Sequence, residues 1–511
     1  MNGSIERSRS WFRSGTMWIA ILVCVVGIVT RIPFRSQILH HWDSVNFALA
    51  INHFDVRLHQ PHPPGTFVIY IMLGRLFDLV VHDPNASLVW LSVVLSGLGA
   101  VALFLLGTEW FGREVGLTTA LLAIVSPLVW FHGEVALSYM LEFLWVPILV
   151  YFIYKMQTRS WWALLASALM IGMAGGIRPN TPVFLFPLWI LGIVVHKYPL
   201  KKILVALLVM GVGVLIWAIP MLVMSGGLME YIELMRWWQN QHTEESASLA
   251  GVAGNTARFV AYVVYNLGLG LVPLVIAAIR IGCTHPHLPG IVRSLKKDWR
   301  AQALAGWVVP AAGYFTIIHL MQPGHTFTIQ PALLLLAGLA IVSLARMKGA
   351  WHRNVWIAVT VVVVAVNALF FVVGPTYLFG DTRLLFTTPT WNTIHDYDVY
   401  VTERLDAIRH SFPPQETAIL ANGRNFRLPD YYLPDYQLTS LSYQINASPV
   451  MLAEPIHTLV FFDDSMLGEL PAGVVVQAVP LPDGESLHYI TWDERHVVVV
   501  GQGTLEIREE S

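Results

Sequence analysis

Charged residues are scarce in this chain. Only 13% of its 511 residues are Asp, Glu, Lys or Arg, whereas 55% are hydrophobic, and the mean hydropathy is +0.58. A soluble globular protein carries about twice that share of charge, so the composition indicates a membrane protein. The formal net charge of −2 shows no basic excess, and a nucleic-acid partner is not expected.

Cysteine is almost absent. Cys24 lies in an apolar run and Cys283 in a basic loop, and residues 375–511 contain none. A disulfide framework is therefore excluded for that polar tail. The chain also lacks a small-residue cleavage site after its Arg-rich N-terminus, so the first apolar run is expected to remain as a transmembrane helix.

Long apolar runs are abundant instead. A transmembrane helix needs about 20 mainly apolar residues. About eleven such runs begin near Met17, Leu88, Leu117, Tyr139, Trp161, Pro182, Ile203, Phe259, Ala303, Thr328 and Asn354. With this threading, the Lys and Arg of the short loops all fall on one side, which predicts that this side is cytoplasmic. The N-terminus is then cytoplasmic, and the polar tail is extracytoplasmic.

The pattern predicts two domains. Residues 1–374 are expected to form an all-α polytopic membrane domain, and residues 375–511 a small extracytoplasmic α/β domain with a helix at 391–410 and several short strands. Within the first domain, residues 34–87 form a large outer loop. Its segment 66–81 is too short and too charged to cross, and is expected to lie in the interface as an amphipathic helix after the proline turn at Pro63 and Pro64.

Smaller elements are predicted in the outer segments. The stretch MEYIELMRWWQNQH is expected to form an amphipathic aromatic helix in a loop spanning residues 225–256. In the tail, AILA, TLVFF, VVVQAV, HYITW and HVVVV are expected to be strands, and PDYYLPDY a turn or loop.

Asp43 is the first candidate for catalysis. It follows the first apolar run in HHWDSVNFALA, at the membrane edge beside Trp42. A partly desolvated carboxylate there can act as a general base towards a hydroxyl. The alternative is structural: Asp43 is a negative charge at a helix N-terminus, and Asp43 or Ser44 caps the helix that follows.

Two further acidic residues lie in or near apolar helices. Glu134 is placed at the outer end of the third predicted transmembrane helix, where an acidic group is costly and is a functional candidate. Alternatively, Glu134 lies among the lipid headgroups and pairs with His132. Glu142 is about two turns deeper, where it faces either the bundle interior or a structural partner.

Arg178 is a candidate for binding a phosphate. It lies in GGIRPNTP at the outer end of the fifth predicted transmembrane helix, against the positive-inside trend. The alternative is that its side chain extends to the outer lipid headgroups.

Histidines cluster in the outer segments. The spacing of His59 and His62, interrupted by proline, does not favour a metal site with His40 and His41, so no metal or other cofactor is expected. Hydrogen bonding to a phosphate or a carboxylate fits these histidines better. His319 and His325 bracket another outer turn, where they are ordinary loop residues or members of a polar cluster.

These motifs resemble a family. Asp43 after the first apolar run, the HPPG motif at residues 62–65 and the position of Glu134 are similar to GT-C membrane glycosyltransferases. The resemblance is to the protein O-mannosyltransferase-like group and its bacterial family-39-like relatives, and more distantly to ArnT-type aminoarabinose transferases. It covers roughly the first 200 residues.

The resemblance implies a function. A GT-C enzyme takes a hexose or pentose from a polyprenyl phosphate and transfers it, with inversion, to a glycan, lipid or protein hydroxyl at the outer face of the cell membrane. Asp43 would be the catalytic base. His62, Glu134, Arg178 and His325 would bind substrate, with Arg178 and His62 placed for the phosphate. The chain departs from the O-mannosyltransferases in having Asp43-Ser44 in place of two acidic residues, and in lacking a large domain inserted between later helices.

Two other classes of function are open at this stage. A lipid or glycan transporter or flippase usually carries broken helices or charges at mid-depth, whereas the polar residues here gather at the outer ends. The second class is a non-catalytic scaffold protein that binds partners through its tail. Such a protein would need no catalytic base at Asp43.

Overall fold

The computed structural model describes residues 14–242, 249–284, 298–318, 320, 322–374, 389–439, 449–452, 454–471, 474–493, 495–501 and 504–509. His319 lies outside these residues. The described chain has two parts, a helical part that ends at Val373 and a mixed part that begins at Trp391.

The first part is built from helices. In chain order they are α1 (Ser14–Val29), α2 (Trp42–Asn52), α3 (Val68–Val81), α4 (Pro84–Phe111), α5 (Arg113–Val125), α6 (Pro127–His132), α7 (Tyr139–Lys155), α8 (Trp161–Ala174), α9 (Asn180–His196), α10 (Leu200–Met224), α11 (Leu228–His242), α12 (Leu249–Leu267), α13 (Leu271–Thr284), α14 (Trp299–Ile317), α15 (Gln330–Arg346) and α16 (His352–Val373).

Several of these helices are membrane helices by length and composition. Six stretches of the described chain are long and apolar enough to cross a bilayer: Gly15–Phe34, Pro84–Phe111, Tyr139–Thr158, Leu200–Met224, Gly251–Cys283 and Gly349–Val373. The shorter apolar helices are α8, α9 and α15. Each of the eleven predicted starts lies in or beside a helix, whereas the number of crossings stays a prediction.

Close helix contacts hold the bundle together. At Gly27 on α1, an added Cβ would lie 2.8 Å from Cα of Gly97 on α4, so only glycine permits this approach of the two backbones.

Helix α4 begins with Pro84, and its first turn is capped by Asp83, which accepts a hydrogen bond from the N–H of Ala86 at 2.6 Å.

The outer loop contains helices α2 and α3. The predicted helix at 66–81 is confirmed as α3, a helix of 14 residues. Its Arg75 turns back to α2, donating to the carbonyls of Ile51 at 2.7 Å and Ala50 at 3.1 Å. Leu79 and Val80 are exposed on its other side. This two-sidedness agrees with an interfacial helix, and its position relative to a bilayer stays a prediction.

The second part is an α/β domain. It contains α17 (Trp391–Ser411), α18 (Leu428–Tyr432) and the strands β1 (Thr417–Leu420), β2 (Gln437–Thr439), β3 (Val450–Leu452), β4 (Thr458–Phe461), β5 (Gln477–Pro480), β6 (Ser486–Thr491), β7 (His496–Gly501) and β8 (Thr504–Glu509). One sheet has the order β2-β1-β4-β6-β5, with β1 parallel to β2 and β4, and the other has the order β3-β7-β8.

The small predicted elements are largely observed. The predicted aromatic helix of the 225–256 loop is α11, and the tail helix and the five predicted strands are present. The prediction of a turn or loop at PDYYLPDY was wrong in part, because its first half forms α18. Leu428 and Pro429 are buried there, and proline in the first turn of a helix loses no intrahelical hydrogen bond.

Candidate active site

Asp43 lies in the first turn of α2, and only 8% of it is exposed. The helix is capped by His41, whose Nδ1 accepts a hydrogen bond from the backbone N–H of Asp43 at 3.1 Å. The alternative expectation that Asp43 or Ser44 caps α2 was therefore wrong, whereas Asp43 does place a negative charge in the first turn of the helix.

The carboxylate of Asp43 lies between two histidines. Its Oδ1 is 3.3 Å from His62 Nδ1, and its Oδ2 is 3.4 Å from His41 Nδ1. Within the described chain, neither Asp43 Oδ1 nor His62 Nδ1 makes a hydrogen bond, although both atoms are buried. A buried acceptor without a donor is costly, so Oδ1 has capacity to accept a hydrogen bond from a substrate hydroxyl.

The proline turn holds His62 in this place. The N–H of Gly65 donates to the carbonyl of His62 at 2.9 Å, and Tyr231 on α11 donates to the carbonyl of Pro64 at 2.9 Å. Gly65 has φ +72°, and an added Cβ would lie 2.2 Å from Val56 Cγ2. The turn is thus anchored at three points, and it holds His62 beside Asp43.

Arg178 lies in a second part of the same cluster. Its guanidinium is 4.5 Å from the centre of the Tyr139 ring, its Nε is 3.7 Å from Glu142 Oε2, and it donates to the carbonyl of Gly324 at 3.3 Å. Glu142 also accepts hydrogen bonds from Thr181 and Thr328, at 2.5 and 2.6 Å. Glu142 therefore faces the bundle interior and holds Arg178.

A chain of hydrogen bonds joins the two parts. Tyr139 donates to Gln322 Oε1 at 2.7 Å, and Gln322 Nε2 is 3.2 Å from His41 Nε2. His325 lies three residues after Gln322, with its ring 6.4 Å from that of Tyr139, and acts electrostatically on Asp43. The structure thus brings Asp43, His62, Arg178 and His325 together.

Glu134 has different contacts. It is fully buried, accepts a hydrogen bond from Trp130 Nε1 at 2.6 Å and interacts electrostatically with Arg31. The guanidinium of Arg31 lies 4.8 Å from the centre of the Trp130 ring. The alternative expectation of a pair with His132 was wrong, because His132 Nδ1 bonds to the carbonyl of Leu128 at 2.8 Å. A role for Glu134 in substrate binding stays a prediction.

The electrostatics of the cluster keep Asp43 ionised. Burial by itself favours the neutral acid, but His62 and His41, with a smaller effect of His325, outweigh it and lower the pKa of Asp43 below its usual value. Burial also lowers the pKa of His62, and Asp43 opposes this only in part. At neutral pH the cluster therefore contains a carboxylate beside a neutral imidazole.

Three members of the cluster were missed or left open by sequence reasoning. Tyr139 and Gln322 were missed, and the environment of Glu142 was left open, because single residues in apolar or loop segments give no pattern that reveals a partner far along the chain. In the part of the chain described here, no group of three or more His, Cys, Asp or Glu side chains is arranged to hold a metal ion.

Comparison with known proteins gives matches to structures alone. No protein-family model and no curated protein matches the chain. The structure is similar to that of ArnT from Cupriavidus metallidurans bound to undecaprenyl phosphate, with a TM-score of 0.56 and 14% identity over 94% of this chain and 98% of that chain. The apo state of the same protein gives a TM-score of 0.55 and 15% identity over the same shares.

A weaker match is the Archaeoglobus fulgidus oligosaccharyltransferase in complex with Zn and sulfate, with a TM-score of 0.42 and 13% identity over 91% of this chain and 72% of that chain. The similarity to ArnT covers 94% of this chain and so reaches into the C-terminal domain, whereas the sequence motifs covered only about the first 200 residues. Along nearly its whole length, the chain therefore has the GT-C fold of ArnT.

Proposed function

We propose that this protein is an inverting membrane glycosyltransferase. It transfers a hexose or pentose from a polyprenyl phosphate to the hydroxyl of a glycan, lipid or protein acceptor. The observation that carries the proposal is the buried Oδ1 of Asp43, which has no hydrogen bond within the described chain and lies 3.3 Å from His62.

Asp43 acts as the general base. The acceptor hydroxyl is a weak nucleophile until its proton is taken, and the Asp43 carboxylate takes it as the hydroxyl oxygen attacks the anomeric carbon. The bond between that carbon and the phosphate oxygen breaks, so the sugar configuration inverts and the lipid phosphate leaves. Because the pKa of Asp43 is below its usual value, the carboxylate is ionised and ready for this step.

Arg178 and His62 receive the phosphate of the donor. The leaving phosphate carries negative charge that grows in the transition state, and a guanidinium with an imidazole can stabilise it. The imidazole of His325, which lies next to Tyr139, is a third group that can contact the phosphate. Support for a polyprenyl phosphate comes from the shared fold, since the ArnT structure was determined with undecaprenyl phosphate bound.

The reaction takes place at the outer face of the cell membrane. Asp43 follows α1, and the basic residues of the described helix ends (Arg113, Lys155, Lys197, Arg346 and Lys348) fall on the opposite side when the membrane helices alternate in direction. This supports a cytoplasmic N-terminus and an extracytoplasmic C-terminal domain. The lipid-linked donor then enters from the bilayer beside the outer loop, and the acceptor enters from the aqueous side.

A donor panel tests the proposal. Purified full-length protein is incubated with polyprenyl phosphates that carry different hexoses or pentoses, together with candidate acceptors, and free polyprenyl phosphate is measured. Release that depends on the acceptor, with the sugar found on the acceptor in the inverted configuration, is expected. Movement of the donor across vesicles with no sugar transfer would instead indicate a transporter or flippase.

A further inference from the structure

The C-terminal domain contacts the segment that leads into Asp43. Asp398 on α17 accepts hydrogen bonds from the backbone N–H groups of Gln37 at 2.7 Å and Ile38 at 3.2 Å, and from the hydroxyl of Ser36 at 2.7 Å. The N–H of Leu39 donates to the hydroxyl of Tyr432 at 2.9 Å. Four consecutive residues before α2 are thus bonded to the C-terminal domain, and this segment is also held to the helical part, where Asn85 on α4 donates to the carbonyl of Gln37 at 2.6 Å.

Arg427 of this domain reaches the Asp43 helix itself. This arginine is 5% exposed and donates from Nε to Asn46 Oδ1 at 2.9 Å. Asn46 is fully buried on α2 and lies one helical turn after Asp43, so the two side chains are on neighbouring positions of one face.

The same guanidinium also reaches the segment that leads to His62. Its Nη2 donates to the carbonyl of Leu58 at 3.3 Å, and its Nη1 is 3.2 Å from Asp430 Oδ1. One planar group therefore joins α2, the chain just before the proline turn, and its own domain. A guanidinium suits this arrangement because its donors point in fixed directions.

We propose that Arg427 is a positioning residue that sets the spacing between Asp43 and His62. The proposal rests on the proposed function, in which Asp43 is the base. It also assigns a task to the C-terminal domain, which holds the active-site loop in its reactive geometry. A misplacement of about 1 Å in an active site can lower the rate by about 100-fold.

Arg427→Ala in the full-length protein is the first test. We expect kcat to fall about tenfold to 100-fold while the KM for the lipid-linked donor changes less, because Arg178, which receives the donor phosphate together with His62, keeps its contacts. The matched control is Arg404→Ala. Arg404 is also buried in the C-terminal domain, at 2% exposed, but its contacts with Glu485, Asp483 and Tyr400 stay within that domain. The Arg404→Ala substitution should reduce stability and leave kcat near the wild-type value.

Asn46→Ala is a second variant in which Arg427 and its domain remain intact. It removes one end of the same contact, so its kcat should fall as well. Combining it with Arg427→Ala should lower kcat less than the product of the two single effects, as for residues that act through one contact. Combining it with Arg404→Ala should show no such coupling.

Amide hydrogen exchange tests the positioning without any turnover. In Arg427→Ala and in Asn46→Ala, the amides of residues 42–52 and 55–62 should exchange faster, while in Arg404→Ala they should exchange as in the wild type. Unchanged exchange in both segments, or a kcat within about twofold of wild type in both variants, overturns the proposal. If the wild type has no transferase activity, the proposed function fails, and the exchange data alone decide whether Arg427 holds the two segments.

Discussion

At the scale of single residues, histidines control the charge of Asp43. His62 is the largest of the groups that favour the carboxylate, and burial works against it. Replacing His62 by Gln should therefore raise the pKa of Asp43, because the burial remains and the favourable partner is lost. The base form exists only above that pKa, so the acid limb of kcat/KM should move to higher pH. An acid limb at the wild-type position would remove His62 from this role.

Arg178 allows a test of donor binding. Lysine keeps the charge but loses the planar group that lies over Tyr139 and reaches Glu142. Arg178→Lys should raise the donor KM about tenfold or more, which corresponds to about 1.4 kcal/mol. The measurement is initial rate against donor concentration.

Arg300→Lys is the control for this variant. Arg300 also pairs with a carboxylate, Asp298, and lies 5.6 Å from the ring of Phe111, but it is at the opposite end of α14 from the cluster. The KM of the Arg300→Lys variant for the donor should stay at the wild-type value. An equal rise in both variants would show that Arg178 acts through general stability.

The candidate site could be predicted from sequence only where its residues lie in a local pattern. Asp43 and His62 stand out because one follows an apolar run and the other opens HPPG. Arg427 and Tyr231 are far from both in sequence, yet they hold Asn46 and Pro64. Such contacts depend on how the helices pack, and apolar periodicity contains no information about which polar partners will meet.

At the scale of elements, the conformation of the proline turn requires glycine at position 65. Gly65→Ala forces an L-residue into φ +72° and brings its Cβ against Val56. Overpacking of this kind costs about 1–3 kcal/mol in addition to the strained backbone. We expect a lower Tm, and a lower kcat because His62 moves away from Asp43. Thermal unfolding and initial rates check both.

Gly484→Ala separates the two costs. Gly484 also has positive φ, at +88°, but nothing lies within 4 Å of an added Cβ. Only the backbone strain should remain there, with wild-type kcat. If Gly65→Ala behaves no worse than Gly484→Ala, the packing of the turn against Val56 is not needed for activity.

Elements were predicted well where one physical signal dominates. Long apolar runs and short alternating strands correspond to observed helices and strands, whereas α18 was missed because Tyr, Pro and Asp are typical of turns. Burial of Leu428 and Pro429 overrides that local preference. The sheet order could not be predicted, since β4 lies between β1 and β6 through pairings remote in sequence.

At the scale of the whole molecule, the orientation in the membrane is open to a direct test. In a background without Cys24 and Cys283, a cysteine at Arg495 in the tail should react with an impermeant reagent added from outside, because Arg495 is highly exposed. A cysteine at Lys348, in the exposed turn between α15 and α16, should not react. The opposite pattern would contradict the extracytoplasmic placement of the active-site cluster.

The account as a whole depends on Asp43 as the base. Asn keeps the shape of Asp but cannot take a proton at neutral pH. Asp83→Asn is the matched control, because Asp83 is also an acidic residue at a helix start and caps α4, and Asn caps about as well as Asp.

The most direct measurement is turnover of polyprenyl-phosphate sugar by purified Asp43→Asn protein, alongside wild type and Asp83→Asn. Turnover should fall at least about 100-fold in Asp43→Asn, with donor affinity largely kept, and should stay near wild type in Asp83→Asn. An Asp43→Asn protein that retains more than about half of the wild-type turnover would contradict the account.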